Sequence, residues 1–189
     1  MTNASTTSTI AGYVAGTWDI DPVHSEVSFS VRHMMVSKVR GRFSTFEGQI
    51  VTGDNPLDSS VSVTVDLSSI DTNNADRDNH LRSADFFDVE THPKMTFEST
   101  SVSATEDGYL VEGTLSLHGI SKRLHLTVEP NGFGSDPWGG KRTGFTATGE
   151  ISRKEFGIDF EMPLDGGGVV VGDKIQINLE IEAVLKPAA

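Results

Sequence analysis

The chain has 189 residues, of which 36% are hydrophobic, and its formal net charge is −12 at pH 7. The length suits one domain. The acidity argues against binding to nucleic acid or electrostatic docking on anionic lipid, because proteins bind these two anionic partners through clustered Lys and Arg side chains. The chain contains no cysteine, which excludes disulfides, zinc–thiolate sites and thiol catalysis.

Residues 1–15 are small and polar, and we expect a flexible N-terminal segment followed by a single β-barrel domain over residues 16–187. The first residues lack the basic and apolar regions of a signal peptide. No stretch approaches the roughly 20 apolar residues of a membrane-spanning helix. These features predict a cytoplasmic protein that is not embedded in a membrane.

Most of the chain alternates apolar and polar residues, which is the pattern of a strand with one buried face and one solvated face. The predicted strands cover residues 18–20, 25–32, 40–51, 61–67, 94–103, 109–118, 124–128, 142–151 and 174–185. The alternation is lost over residues 33–38, which we interpret as a short helix or a bulged corner.

One passage, residues 71–88, is typical of a helix, with Asn74 or Asp71 as its N-cap. Turns are predicted at residues 53–56, 106–108 and 118–122, and loops at 130–140 and around Gly166–Gly168. The sequence therefore predicts an all-β protein, about eight strands in a closed antiparallel barrel, with a short helical insertion. A closed sheet of this size can hold an apolar ligand inside it.

The strand phase predicts which side chains face the interior. Polar neighbours such as Ser28, Ser30, Ser62, Thr64, Thr114, Ser116 and Asn178 should face outward. Leu81 and Phe86 of the helical insertion should cover and gate one end of the barrel, with Met35 at the same mouth. The predicted ligand-binding set of interior and mouth residues is Phe29, Val31, Met35, Val63, Val65, Leu81, Phe86, Phe97, Leu115, Leu117, Phe145, Ile177, Leu179 and Ile181. The same residues could equally form a filled core.

No catalytic residue and no metal ligand is predicted. The six histidines show no local metal-ligand spacing, although His24, His33, His118 and His125 lie near predicted strand ends that could converge. No nucleophile motif is present. Four arginines, Arg32, Arg77, Arg82 and Arg153, could bind a polar ligand head or brace loops, and we favour bracing.

Six blocks of sequence resemble the YceI family of lipid-binding proteins over residues 16–185. The blocks are TWDIDPVHSEVSFSVRHM, VRGRFSTFEGQI, DLSSIDTNNADRDNHLRSADFFD with HPKMTFEST, GTLSLHGISKRLHL, DPWGGKRTGFTATGEISRKEFGID and VVVGDKIQINLEIE. The resemblance implies an extended, eight-stranded, lipocalin-like barrel that holds a long isoprenoid or fatty chain. It implies no catalytic set, and many relatives are periplasmic.

Together these observations predict non-catalytic binding and transport or storage of a long-chain apolar lipid, such as a polyisoprenoid, an isoprenoid quinone or a fatty-acid-like chain. No cofactor is expected apart from the bound lipid. One alternative is an enzyme that acts on an apolar substrate in the same pocket. Another is a filled barrel with an interaction role, for which a homodimer is an option.

Overall fold

The computed structural model describes residues 10–188, which form an antiparallel β-barrel with one short α-helix. The helix, α1, spans Ala75–Arg82. The strands are β1 Gly16–Ile20, β2 Glu26–His33, β3 Ser37–Phe43, β4 Phe46–Thr52, β5 Ser60–Asp66, β6 Ile70–Asp71, β7 Lys94–Ala104, β8 Tyr109–Leu117, β9 Ile120–Ser135, β10 Lys141–Ser152 and β11 Val171–Leu185.

The barrel closes because β1 pairs with both β4 and β11. The closed order is β1-β4-β5-β7-β8-β9-β10-β11, eight strands that are all antiparallel to their neighbours. Strands β2, β3 and β6 extend this wall: β2 pairs with β11 beside β1, β3 pairs with β2, and β6 pairs with β3. The predicted eight-stranded barrel is thus confirmed.

Two ends of the barrel can be distinguished from this pairing. At the helix end, β5, β8 and β10 finish and β7, β9 and β11 begin, close to α1. At the opposite end, here called the N-terminal end, β1 begins beside Leu185 and the turns after β4, β7 and β9 lie together. Strand β11 has 15 residues, so at about 3.3 Å per residue it extends about 50 Å, which makes the barrel long for its width.

The helix begins as the sequence predicts. The side chain of Asn74 accepts a hydrogen bond from Arg77 N at 2.9 Å, which is the contact of an N-cap. Asp78 in its first turn is buried and accepts bonds from Thr72 N (2.9 Å) and Thr72 Oγ1 (2.5 Å). The helix is shorter than predicted, because a series of turns follows Arg82 and carries the two phenylalanines of the insertion.

Several local predictions were wrong. Residues 34–36 form a tight turn between β2 and β3 rather than a helix or a bulged corner. The predicted turn at residues 118–122 is present but shorter: it contains only His118 and Gly119, with φ values of 56° and 75°, as a two-residue hairpin loop requires. Strand β9 continues through residues 130–135, which were predicted as a loop, because a register shift near Gly144 and Phe145 allows the pairing with β10 to continue past Pro130.

Candidate ligand cavity

An elongated cavity of about 300 Å³ runs through the barrel interior. Its wall contains residues from the helix end, such as Leu81 and Ile158, and from the N-terminal end, such as Tyr13 and Pro56. The volume lies at the lower limit of the range of about 300–1,000 Å³ found for small-molecule sites. A long, narrow, mostly apolar space fits a linear hydrocarbon chain better than a broad ring system.

The structure places on this wall every residue of the predicted ligand-binding set except Met35. These wall residues are Phe29, Val31, Val63, Val65, Leu81, Phe86, Phe97, Leu115, Leu117, Phe145, Ile177, Leu179 and Ile181. Whether they contact a ligand stays a prediction, since the same inward orientation would serve a core. The alternation predicted their direction because β-strand side chains point to opposite faces with a period of two.

Met35 is placed elsewhere. Its side chain is 59% exposed and lies in the β2–β3 turn, outside the cavity wall. The prediction failed because the turn has left-handed backbone, with φ of 50° at Met34 and 63° at Met35, so the strand phase does not extend into it. Met35 instead lies beside Gly168 of the loop before β11: a Cβ added to Gly168 would be 3.4 Å from Met35 Cγ.

Among the residues predicted to face outward, Ser62, Thr114 and Asn178 are exposed. Ser30 is buried, with 7% of its surface exposed, although it belongs to the outer face of β2. Its neighbours in the register are Arg40 on β3 and Gln176 on β11, and these longer side chains line a polar groove with Ser30 on its floor.

Two glycines make room for aromatic rings on the wall. Gly41 lies opposite Phe29, and a Cβ added to it would be 2.5 Å from Phe29 Cζ. Gly113 lies opposite Ser99 and diagonal to Phe97, and a Cβ added to it would likewise overlap the ring of Phe97. Each ring therefore lies across the backbone of the next strand, which leaves the centre of the barrel less filled.

The helix end is covered by side chains that follow or belong to α1. Leu81, Phe86 and Phe87 all line the cavity, and Phe86 has only 7% of its surface exposed. The ring of Phe160, from the segment between β10 and β11, packs 5.0 Å from the ring of Phe86. This places the insertion over the barrel opening, as predicted; that it moves as a gate stays a prediction.

Residues 10–15 cover the N-terminal end. The sequence assigns them to a flexible segment, but Ile10 and Tyr13 lie on the cavity wall, and Tyr13 Oη donates a hydrogen bond to Gly53 O at 2.7 Å. The rings of Tyr13 and Phe133 are 5.1 Å apart. Apolar contact thus holds this part of the segment against the barrel, and residues 1–9 lie outside the described residues.

Arg77, Arg82 and Arg153, three of the four arginines considered above, brace the structure, as we favoured from the sequence. Arg77 donates to Thr72 Oγ1 and Thr72 O, both at 2.8 Å, and Arg82 donates to Ser68 O and Ile70 O. The side chain of Arg32 is exposed on the outer wall.

Arg153 is the most buried of the four, with 3% of its surface exposed. It donates to Gly172 O (2.9 Å), Ile158 O (2.8 Å) and Val171 O (3.2 Å) and also lies on the cavity wall at the helix end.

Two groups of ligand-type side chains lie close together within the described residues. In the first, ligand atoms of Asp88, His92 and His118 all lie within 4.8 Å of one another. In the second, which contains Asp21, His24 and Glu182, the guanidinium of Arg142 already occupies the space, at 2.9 Å from Asp21 Oδ2 and 2.6 Å from Glu182 Oε1.

Only the first group has the chemistry to accept a divalent cation. Nδ1 of His118 lies 2.9 Å from Phe156 O, to which it donates in the tautomer that carries the proton on Nδ1. In that tautomer Nε2 is unprotonated and available to bind a cation. Sequence reasoning missed this group, because it grouped His118 with His24, His33 and His125 and overlooked the spacing of four between Asp88 and His92. None of the three residues lies on the cavity wall.

Sequence reasoning also missed several wall residues. Phe133 was assigned to a loop, and Ile158 and Val171 belong to the segment before the last predicted strand. Leu124 and Leu126 lie on a predicted strand but were not included in the ligand-binding set. Their alternation is the same signal that identified the included residues.

The family profile for YceI-like domains matches residues 18–183. The chain belongs to the YceI-like domain family. The Protein YceI of Salmonella newport is 41% identical over 165 residues, which cover 86% of this chain and 86% of that protein.

Solved structures share the fold. BcnA of Burkholderia cenocepacia superposes with a TM-score of 0.74 at 22% identity, over 86% of this chain and 98% of that chain. A polyisoprenoid binding domain from Saccharophagus degradans, implicated in plant cell wall breakdown, superposes with a TM-score of 0.63 at 13% identity, over 92% of this chain and 100% of that domain. Within residues 10–188, no helix is long and apolar enough to cross a membrane.

Proposed function

We propose that this protein binds a long-chain apolar lipid in the barrel cavity and transports or stores it without chemical change. The observation that carries the proposal is the elongated apolar cavity, whose wall includes side chains from both ends of the barrel. The similarity in fold to a domain described as polyisoprenoid binding supports the same ligand class.

The binding energy would come from burial. Each methylene group moved from water into an apolar site contributes about 0.8 kcal/mol. A tail of about 15 carbons therefore offers a gross gain above 10 kcal/mol, from which the cost of ordering the chain is subtracted. Because such contact has no direction, the cavity would accept polyisoprenoids, quinone tails and fatty chains of suitable length.

The cavity wall also argues against catalysis inside the barrel. Transition states of polar reactions need several convergent donors or charged groups. The charged residue on the wall is Arg153, whose Nε and both Nη atoms each donate to a backbone carbonyl. The carboxylate–histidine group of Asp88, His92 and His118 lies off the wall.

A cavity-filling variant tests the proposal. Val63 points into the cavity and Ser62, its neighbour on β5, is exposed on the outside. Val63→Trp should place an indole in the path of the ligand and abolish binding of a fluorescent polyene fatty acid to the delipidated protein. Ser62→Trp adds the same side chain to the outer face and should bind the probe like the wild type.

Equal probe binding by the two folded variants, measured by fluorescence titration, would contradict the proposed site. Circular dichroism of both variants establishes that each is folded. If the wild-type protein binds no probe, the titration is repeated after a polyisoprenoid alcohol has been added to displace any retained lipid. Absence of probe binding in both titrations would contradict the function itself.

A further inference from the structure

The turn between β2 and β3 exposes three consecutive apolar side chains. Met34, Met35 and Val36, here called the hairpin tip, are 45%, 59% and 81% exposed. Met34 and Met35 have left-handed φ values of 50° and 63°, a conformation that suits Gly or Asn far better than Met. The fold therefore holds long apolar side chains in water at some cost in backbone strain, which points to a use for them.

The apolar surface continues beyond the hairpin tip. Met34 N donates to Val170 O at 2.9 Å, and Val170 N donates to Met162 O at 3.0 Å. The side chain of Met162 is 54% exposed. The hairpin tip and the segment before β11 thus present their apolar side chains together at the helix end.

A concentration of positive charge lies beside the hairpin tip. Five of the fifteen Lys and Arg residues line one groove on the outer wall of β2, β3 and β11, although the chain has a net charge of −12. These residues, here called the basic face, are Arg32, Lys38, Arg40, Arg42 and Lys174. The total charge of the sequence conceals this local cluster.

Much of this charge is not neutralised within the protein. Arg32 lies directly opposite Lys38 in the β2–β3 register, and like charges at such positions destabilise a sheet. Arg42 pairs with Asp71 at 3.2 Å and Lys174 with Glu150 at 3.7 Å. Within residues 10–188, the remaining three cations, Arg32, Lys38 and Arg40, form no ion pair.

We propose that the hairpin tip and the basic face dock the helix end of the barrel onto an anionic lipid bilayer. Exposed apolar side chains gain free energy by entering the interfacial region, and flanking Lys and Arg side chains bind the phosphates of anionic lipids. Glu26 and Asp71 line the same groove, but they are two carboxylates against five cations, and Asp71 already pairs with Arg42. Acidic residues further away do not prevent docking, because charges more than about 10 Å apart are largely screened at 0.1 M salt.

Docking at this end would also serve the proposed function. The segment that carries Met162 also carries Phe160, whose ring packs on Phe86 of the cavity wall. A bilayer against the hairpin tip would lie next to the cover of the cavity. A lipid could then pass between the bilayer and the barrel without crossing water. The docking rests on the exposed residues alone, and only this transfer rests on the proposed function.

Vesicle co-sedimentation of the full chain tests the docking. The wild-type protein should bind vesicles of phosphatidylcholine mixed with phosphatidylglycerol, bind pure phosphatidylcholine vesicles weakly, and lose binding at high salt. Replacing Arg32, Lys38 and Arg40 by Gln should weaken binding to the anionic vesicles by about 100-fold. The variant Met34→Asn, Met35→Asn, Val36→Ser should weaken it by about tenfold or more.

Two matched controls keep the test specific. Trp138 is 84% exposed in the β9–β10 turn at the N-terminal end, so Trp138→Ser removes an exposed apolar side chain away from the proposed surface. Arg123→Gln, Lys141→Gln, Lys186→Gln makes the same change in net charge elsewhere. Both controls should bind as the wild type does. Equal loss in controls and test variants, or no binding of anionic vesicles by the wild type, would overturn the docking.

Organic extraction of the same samples separates the two proposals. If the wild-type protein contains lipid but does not bind anionic vesicles, the docking is refuted and the proposed function stands. Vesicle binding by a protein that neither contains nor takes up lipid would refute the proposed function and leave the docking standing.

Discussion

The two ends of the barrel are closed in different ways. The N-terminal end is built around Trp18, which is fully buried and whose Nε1 donates to Thr52 Oγ1 at 2.9 Å, and Phe133 packs against both Trp18 and Tyr13. At the helix end, α1 is polar apart from Leu81 and Ala75, and its cover of the cavity depends on Leu81, Phe86 and Phe87. A cover that depends on a few side chains opens at a lower cost in free energy than a continuous buried core. We therefore predict a fixed N-terminal end and a movable cover at the helix end.

The largest effect should come from the fixed part of the helix end. Arg153→Met would leave the carbonyls of Gly172, Ile158 and Val171 without their donor. Each buried carbonyl left unpaired costs about 1 kcal/mol or more, so we expect the free energy of unfolding to fall by about 3 kcal/mol. Urea denaturation measures this.

The neighbouring Lys154 supplies the control for this prediction. It is exposed and pairs with Glu161, and exposed ion pairs contribute about 1 kcal/mol or less. Lys154→Met should therefore change stability little. Equal stability of the two variants would show that the bracing by Arg153 contributes nothing.

A smaller loss of stability is expected from the N-terminal end. Trp18→Phe removes the indole donor to Thr52 and leaves a void in a fully buried site, which should cost about 1–2 kcal/mol. Thr52→Ser keeps the acceptor hydroxyl and should cost less. Bound lipid should stay unchanged in Trp18→Phe, as measured by organic extraction, and a selective loss of lipid would mean that this end gates the cavity.

The movable cover should control retention of lipid rather than stability. Leu81→Asp places a charge on the cavity wall at the helix end, and we expect the bound lipid to dissociate about tenfold faster, equivalent to about 1.4 kcal/mol. Asn79→Asp, on the exposed side of the same helix, is the matched control. Transfer of a fluorescent lipid to acceptor vesicles measures the dissociation rate for each variant. Identical rates for the two variants would show that Leu81 does not gate the cavity.

The weakest expected effect is a dependence on pH at the N-terminal end. The hydrogen bond with His24, followed by that from Arg142, lowers the pKa of Asp21 from 3.8 to about 2. Because the pKa is lower in the folded state, this stabilisation is present above about pH 4 and is lost as the pH falls towards 2. Asp21→Asn should flatten the acid limb of a thermal stability profile, and an unchanged limb would contradict this assignment.

The sequence predicted the barrel and the inward direction of the strand residues that it named, because the period of two is a direct property of strands. It failed where other forces act. Met35 lies in a left-handed turn, where strand phase has no meaning. Tyr13 belongs to a polar leader and is held by contact with Phe133, which lies far away in the sequence. The basic face arises only when β2, β3 and β11 come together, and the net charge of the chain obscures it.

Mass spectrometry of the intact native protein, combined with analysis of its organic extract, shows whether the barrel carries a lipid. We expect one long-chain apolar lipid per protein molecule, lost on extraction and regained when the delipidated protein is mixed with vesicles that contain that lipid. A native protein that carries no lipid and takes up none from such vesicles would contradict this expectation.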